Sequence, residues 1–264
     1  MTAASGAWLF ASDLHLSDET PQILTAFENW LEAQAAPSTH IVLLGDLFEH
    51  WVGDDHSSDC IERVASALQQ ASAIGATCHF MHGNRDFMLG ADYMRRATLH
   101  LLPDPCFIDL FGTPTVLTHG DLLCTDDIGY QQFRKISRDP LWQYGMLQKP
   151  LSTRQQIAAS ITHTSRQQKA LKSELIMDVS PPAVLAVFDG WWPGDDDQPS
   201  GQQVRRIIHG HTHRPGRYVE KRPDCERIVL PDWDYGASPP RGGYLRIAAD
   251  CQSGELHKVL GRCD

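Results

Sequence analysis

The chain has 264 residues, 42% of them hydrophobic and 21% charged, which is ordinary for a soluble globular protein and long enough for one large α/β domain or two small ones. Its 23 basic residues against 33 acidic ones give a net charge of −10, which excludes non-specific nucleic-acid binding by the molecule as a whole. Seven scattered cysteines without a Cys-x-x-Cys pair read as free thiols of a reducing compartment, and no apolar stretch approaches the ~20 residues needed to span a bilayer.

Residues 7–12 form the first predicted strand, with no basic stretch and apolar run before it, so a cleavable secretion signal is not expected. Ile23, Leu24, Phe27, Trp30 and Leu31 then recur at helical spacing. Residues 40–45 are the clearest strand. Ile61, Val64, Ala65, Leu68 and Ala71 repeat the helical pattern, and residues 76–82 and 114–118 return to strand. This order predicts an α/β fold around a layered sheet. Strands are also expected at 204–209, 227–231, 244–248 and 256–260, with hairpin-like spacing that suggests a second, more antiparallel sheet.

Residues 128–178 interrupt the pattern with helices expected over 130–137, 141–148, 153–161 and 165–177. Arg134, Lys135, Arg138, Lys149, Arg154, Arg166, Lys169 and Lys172 outnumber Asp139, Glu174 and Asp178, a local +5. With Phe133, Trp142 and Leu147 among its apolar residues, the segment is either a basic amphipathic roof over a site or a set of helices packed on one another with lysines in water. Residues 193–201 read as a mobile acidic loop.

Five motifs each follow an apolar run: Asp13-Leu14-His15, Gly45-Asp46, Gly83-Asn84-Arg85-Asp86, His119-Gly120-Asp121 and His209-Gly210-His211. Each alone reads equally as a turn or a structural histidine. Together they offer Asp13, His15, Asp46, Asn84, His119, His209 and His211 as oxygen and nitrogen donors without sulfur, a set suited to Mn²⁺, Fe²⁺ or Zn²⁺. Asp13 and His15, two apart, would share one face of a strand end. A carboxylate at Asp46 can bridge two ions. Two such ions can activate a shared water for in-line attack on phosphorus. Cys124 reads as structural rather than as a nucleophile.

The order of these motifs resembles the calcineurin-like metallophosphoesterase superfamily over about residues 9–214: Asp-x-His, Gly-Asp, Gly-Asn, His and Gly-His-x-His. The resemblance implies an α/β sandwich of two mixed β-sheets flanked by helices, with a dinuclear centre. Asp13, His15, Asp46 and His211 would hold one metal, and Asp46, Asn84, His119 and His209 the other. Where the superfamily often places a His after the Asn ligand, this chain has Arg85. Arginine cannot give up its proton but can clamp phosphate oxygens, which suits a leaving group that is itself a phosphate.

Gly83-Asn84-Arg85-Asp86-Phe87, His119-Gly120-Asp121 with Cys124-Thr125-Asp126-Asp127, Ile176-Met177-Asp178-Val179 and the run from His209 to Pro215 narrow the resemblance further. They are similar to the family of lipid A synthesis enzymes that hydrolyse the pyrophosphate of UDP-2,3-diacylglucosamine. That likeness implies two Mn²⁺ ions, a lipidated UDP-sugar as substrate, no nucleic-acid partner, and a peripheral position on the cytoplasmic side of the bacterial inner membrane, in a monomer. Residues 1–127 and 179–264 would form the core and 128–178 a helical lipid-binding cap, with Trp191 and Trp192 near it in sequence. Asp46, Asn84, Arg85 and His119 would carry catalysis. Asn84, Arg85, Asp127, Ser165, Lys169, Lys172 and His209 would contact substrate, Ser165, Lys169 and Lys172 sharing one helix face. The stretch 230–241 looks longer than the family's turn and is expected to touch no motif. A soluble nucleotide pyrophosphatase or phosphodiesterase of the same superfamily is the alternative, and a scaffold without activity is a more distant one.

Overall fold

The computed structural model describes residues 2–3, 6–171, 178–192, 203–220, 222 and 224–259. Two six-stranded sheets pack face to face with helices outside each. The first sheet runs β12 (Cys251–Lys258), β11 (Gly243–Ala248), β2 (Ala7–Ala11), β3 (His40–Leu44), β4 (Thr77–Met81), β5 (Leu99–Leu101), and its last four strands are parallel. The second runs β1 (Thr2–Ala3), β6 (Cys106–Leu110), β7 (Thr113–Leu117), β8 (Arg206–His209), β10 (Glu226–Val229), β9 (Gly216–Val219), and it mixes parallel and antiparallel pairs.

Strand alternation divides the core. Leu9, Ala11, Ile41, Leu43 and Phe80 meet α1 (Pro21–Gln34) and α2 (Asp59–Ile74) through Phe27, Trp30, Val64 and Leu68. Phe10, Val42, Leu44 and Met81 point the other way, onto Ile108, Leu117, Ile208 and Ile228 of the second sheet. Beyond that sheet, Val116 and Ile207 cover α7 (Pro181–Phe188) through Val184, Val187 and Phe188. The helical starts and stops are local: Pro21 opens α1, Ser58 caps α2 by accepting from Ile61 N, and Gly75 closes α2 in the left-handed region.

Two expectations need correction. The tail does not build a sheet of its own. Strands β8, β9 and β10 join the second sheet, whereas the β11–β12 hairpin adds antiparallel to β2 in the first. In the insertion, α4 (Ile128–Ser137) and α5 (Pro140–Leu147) fall where expected, but the next two predicted helices are one, α6 (Leu151–Leu171). No Gly or Pro lies between Ile161 and Ser165 to break it. A short helix, α3 (Ala91–Arg96), completes the set. Ser165 and Lys169 fall on α6 with their side chains outside the described residues. Lys172, the 193–201 loop and Cys263 also lie outside them.

The cations of the insertion are not all turned outward. Arg134 of α4 meets Asp121 at 2.8 Å and Asp104 at 3.5 Å, and Arg138 donates to Gly83 O at 2.7 Å. Arg154 of α6 is buried against Asp55 and Val52 O. These three arginines fasten the insertion to the core at both ends, while Lys135 and Lys149 remain exposed. Trp192 packs on the α7 cluster rather than on the insertion, and Trp191 is exposed.

Candidate metal centre

Five loops carry the motifs, and each leaves a strand at the same end of the sandwich, where ligands gather in open α/β sheets. The loops after β2 and β3 stay zipped together beyond the strands. Asp13 N donates to Gly45 O, His15 N to Asp46 O, and Leu16 N to Leu47 O. Asp13 and His15 do converge, but not as strand neighbours: both have left-handed backbones, with φ of 54° and 51°. Asp46, His211 and His213 share that conformation at 53°, 65° and 54°. It costs a non-glycine residue about 1–3 kcal/mol, and such outliers persist where surrounding structure over-determines them.

Asp46 sits at the middle of the site and is buried. Its Oδ2 lies 3.9 Å from His15 Nε2. Its Oδ1 lies 3.8 Å from His119 Nε2 and accepts from Arg85 N at 2.8 Å. One carboxylate therefore faces two groups of donors. The first group is Asp13, His15 and His213, whose ligating atoms lie within 4.8 Å of one another. The second is built on Asn84, whose Oδ1 stands 3.0 Å from His119 Nε2 and 2.8 Å from His211 Nδ1. Gly83 permits this crowding, since a Cβ there would lie 2.1 Å from Asp46 Oδ1.

The histidines divide differently from the sequence expectation. His209 is the last residue of β8 and shares the face of Ile207, which points toward α7. Its Nδ1 donates to Gly210 O at 2.8 Å, and its Nε2 accepts from Arg227 Nη1 at 3.3 Å. Neither nitrogen faces the carboxylates. The pair that does is two residues on: His211 against Asn84, and His213 Nε2 at 3.5 Å from Asp13 Oδ1. The pattern Gly-His-x-His is also met by Gly210-His211-Thr212-His213, which includes His213.

Buried carboxylates set the electrostatics. Burial alone would lower His119, but Asp46, Asp13 and Asp121 push it up to about 9. Burial likewise opposes His213, and hydrogen bonds to Asp13 and Asp232 push it up to about 10. His209 goes the other way, to about 4, through burial and the charge of Arg227. The histidines beside carboxylates hold protons that a divalent cation would displace.

The donor set fits such a cation. Asp13 Oδ1 and His15 Nε2 are buried without a hydrogen bond, and both point into the cluster. His119 Nδ1 donates to Leu44 O at 2.9 Å, which turns Nε2 toward Asn84 and Asp46. Cys124 is buried and held as a thiol by burial and nearby carboxylates, so no thiolate joins the set.

Further residues complete the surroundings of the site, several of them in roles that the sequence did not suggest. Asp86 accepts from Gly83 N at 2.8 Å and Leu47 N at 2.7 Å, clamping the Asn84 loop to the Asp46 loop. Burial and the neighbouring Asp46 raise its carboxyl to about 6. Asp121 anchors Tyr130 and Arg134. The tail does touch a motif: Asp232 lies 3.2 Å from His213 Nδ1 and binds Arg241, and Trp233 N donates to Asp13 O. Asp127 caps α4 by accepting from Tyr130 N. Beside Asn84 and Arg85 opens an apolar cleft lined by Phe87, Met88, Phe133, Trp142, Met146 and Ile161.

The family described as calcineurin-like phosphoesterase matches residues 8–215. A protein of Stenotrophomonas maltophilia named UDP-2,3-diacylglucosamine hydrolase is 45% identical over 250 residues, covering 91% of this chain and 94% of that one. Proteins of the same name from Marinobacter nauticus and Aromatoleum aromaticum are 42% and 40% identical, over 86% and 88% of this chain and 89% and 94% of theirs.

Proposed function

Because the chain belongs to the calcineurin-like phosphoesterase family, it is a metal-dependent hydrolase, and we propose that it cleaves the pyrophosphate bond of UDP-2,3-diacylglucosamine. The products are 2,3-diacylglucosamine 1-phosphate and UMP, a step of lipid A synthesis. The observation that carries the reading is the apolar cleft between the core and the inserted helices, opening at Asn84 and Arg85. A soluble sugar nucleotide has no use for such a lining. Acyl chains do.

In this reading Asp13, His15, Asp46 and His213 hold one ion. Asp46, Asn84, His119 and His211 hold the other, and His209 props the turn from behind. The ions are two Mn²⁺. When bound they supply Lewis acidity toward phosphoryl oxygens and an activated water. Arg85 presents a guanidinium that never loses its charge to the phosphoryl oxygens, and its backbone N–H holds Asp46 in place. The leaving group departs as a phosphate and needs no proton from the chain.

Residues 128–178 act as the cap, and Asp127, Ser165, Lys169 and Lys172 meet the head group. Ile136, Leu141, Tyr144 and Leu147 are exposed on α4 and α5 beside Lys135 and Lys149. An apolar, basic outer face of this kind suits a protein lying on the cytoplasmic face of the inner membrane. Among the described residues no helix is long and apolar enough to cross a membrane.

The test is UMP release from UDP-2,3-diacylglucosamine in detergent, with Mn²⁺ or with chelator, beside UDP-N-acetylglucosamine. Release from the lipid alone, lost on chelation, is the expected result. Equal cleavage of both would make the protein a general nucleotide pyrophosphatase. Release from neither, with metal bound, would favour a phosphodiesterase.

A further inference from the structure

Every histidine facing Asp46 or Asp13 has a partner that orients it, but one of these partners does more. Glu49 Oε2 lies 3.0 Å from His15 Nδ1, on the side of the ring away from Asp46. Its Oε1 lies 3.8 Å from Arg85 Nη1. The backbone fixes the carboxylate on both sides. Glu49 N donates to Leu16 O, one residue past His15, and Trp51 N donates to Arg85 O. Leu16 and Phe48 form a parallel bridge between the two loops.

We infer that Glu49 is a positioning residue that sets the Asp13-side metal through His15 and the phosphate clamp through Arg85. This rests on the metal assignment proposed above. A carboxylate accepting the far N–H of a ligating imidazole fixes its tautomer and raises its basicity, and losing such a partner typically costs about 10–100-fold in metal affinity. The same carboxylate opposes the charge of Arg85 and keeps the guanidinium from swinging into solvent. Leu44 O does the first job for His119 and Asp232 for His213. Glu49 reaches both a candidate ligand, His15, and the guanidinium of Arg85.

Two variants separate the two jobs. Gln offers His15 Nδ1 an oxygen where Glu49 Oε2 stands at 3.0 Å, but carries no charge for Arg85. Ala does neither. The experiment measures Mn²⁺ binding by calorimetry on metal-stripped protein, and kcat and KM for UMP release at saturating Mn²⁺. Glu49→Ala is expected to weaken one of two Mn²⁺ sites by roughly tenfold or more and to raise KM. Glu49→Gln is expected to keep both Mn²⁺ affinities within a few-fold while KM stays raised, a split that general loosening of the fold would not produce. Wild-type Mn²⁺ affinities in the Ala variant would overturn the inference, as would identical losses in both variants. If the wild type binds two Mn²⁺ but leaves the lipid intact, the proposed substrate fails while the Mn²⁺ readout still judges Glu49.

Discussion

At the carboxyl ends of the strands histidines face carboxylates; toward the amino ends of the first sheet's strands they stack on a tryptophan. Trp8 lies over His40 with ring centroids 4.0 Å apart, His40 Nδ1 lies 3.2 Å from His79 Nε2, and His100 continues the row 5.8 Å beyond His79. No carboxylate is among the causes acting on His79, and burial, with the neighbouring His40 and His100, lowers it to about 4. At the other end, carboxylates raise His119 to about 9 and His213 to about 10, although burial opposes both. The backbones differ too, since the positive-φ residues of the site have no counterpart at His40, His79 or His100. The same side chain serves as a donor poised for a cation or as a flat, neutral packing group. What decides is the company of buried carboxylates, and neither motif nor burial alone.

The comparison can be broken most severely at Asp46. Asp46→Ala is expected to reduce UMP release to below about a thousandth of wild type, a loss of roughly 4 kcal/mol in transition-state stabilisation. Near-normal turnover with full metal content would mean that Asp46 does not serve both donor groups. Next come the two histidines on either side of the division. His213→Ala is expected to bind one Mn²⁺ instead of two by elemental analysis. His209→Gln is expected to keep both ions while losing about 1–3 kcal/mol in denaturant unfolding, because Gly210 O and Arg227 lose a buried partner. A lost ion in His209→Gln would restore that histidine to the ligand set.

A comparable effect, confined to acid pH, lies at the amino end. His79 holds its proton only below about 4 in the folded protein, against an ordinary value of 6.5. The unfolded chain thus binds the extra proton first, and stability falls as pH drops from about 6.5 toward 4. At pH 5 this amounts to about 2 kcal/mol. Replacing His79 by Phe is expected to flatten that slope in urea titrations at pH 7 and pH 5. An unchanged slope would show that His79 does not carry it.

Much of the architecture was legible because it is periodic. The apolar spacing of Ile23 to Leu31 and of Ile61 to Ala71 marked α1 and α2, and the run Ile41 to Leu44 marked β3. The β11–β12 hairpin was misplaced because local alternation says nothing about which sheet a hairpin joins. At the site, motif order pointed to Asp13, His15, Asp46, Asn84 and His119, which the fold brings together, whereas the different surroundings of His209 and His213 follow from where β8 ends. Periodicity is equally silent on contacts between loops distant in sequence, which is why Asp232 and the inward arginines stayed hidden.

Those arginines constrain anyone who would transplant the insertion. Residues 128–178 look like a detachable module, yet their sockets are Asp104, Asp121, Asp55 and Gly83 O, all in the recipient. A chimaera that exchanges the segment between relatives must carry this set of acids with it, or it strands charged guanidinium groups against the loops bearing Asn84 and His119. The segment and the loops bearing Asn84 and His119 hold one another in place, so exchanging the segment alone is expected to disturb those loops as well.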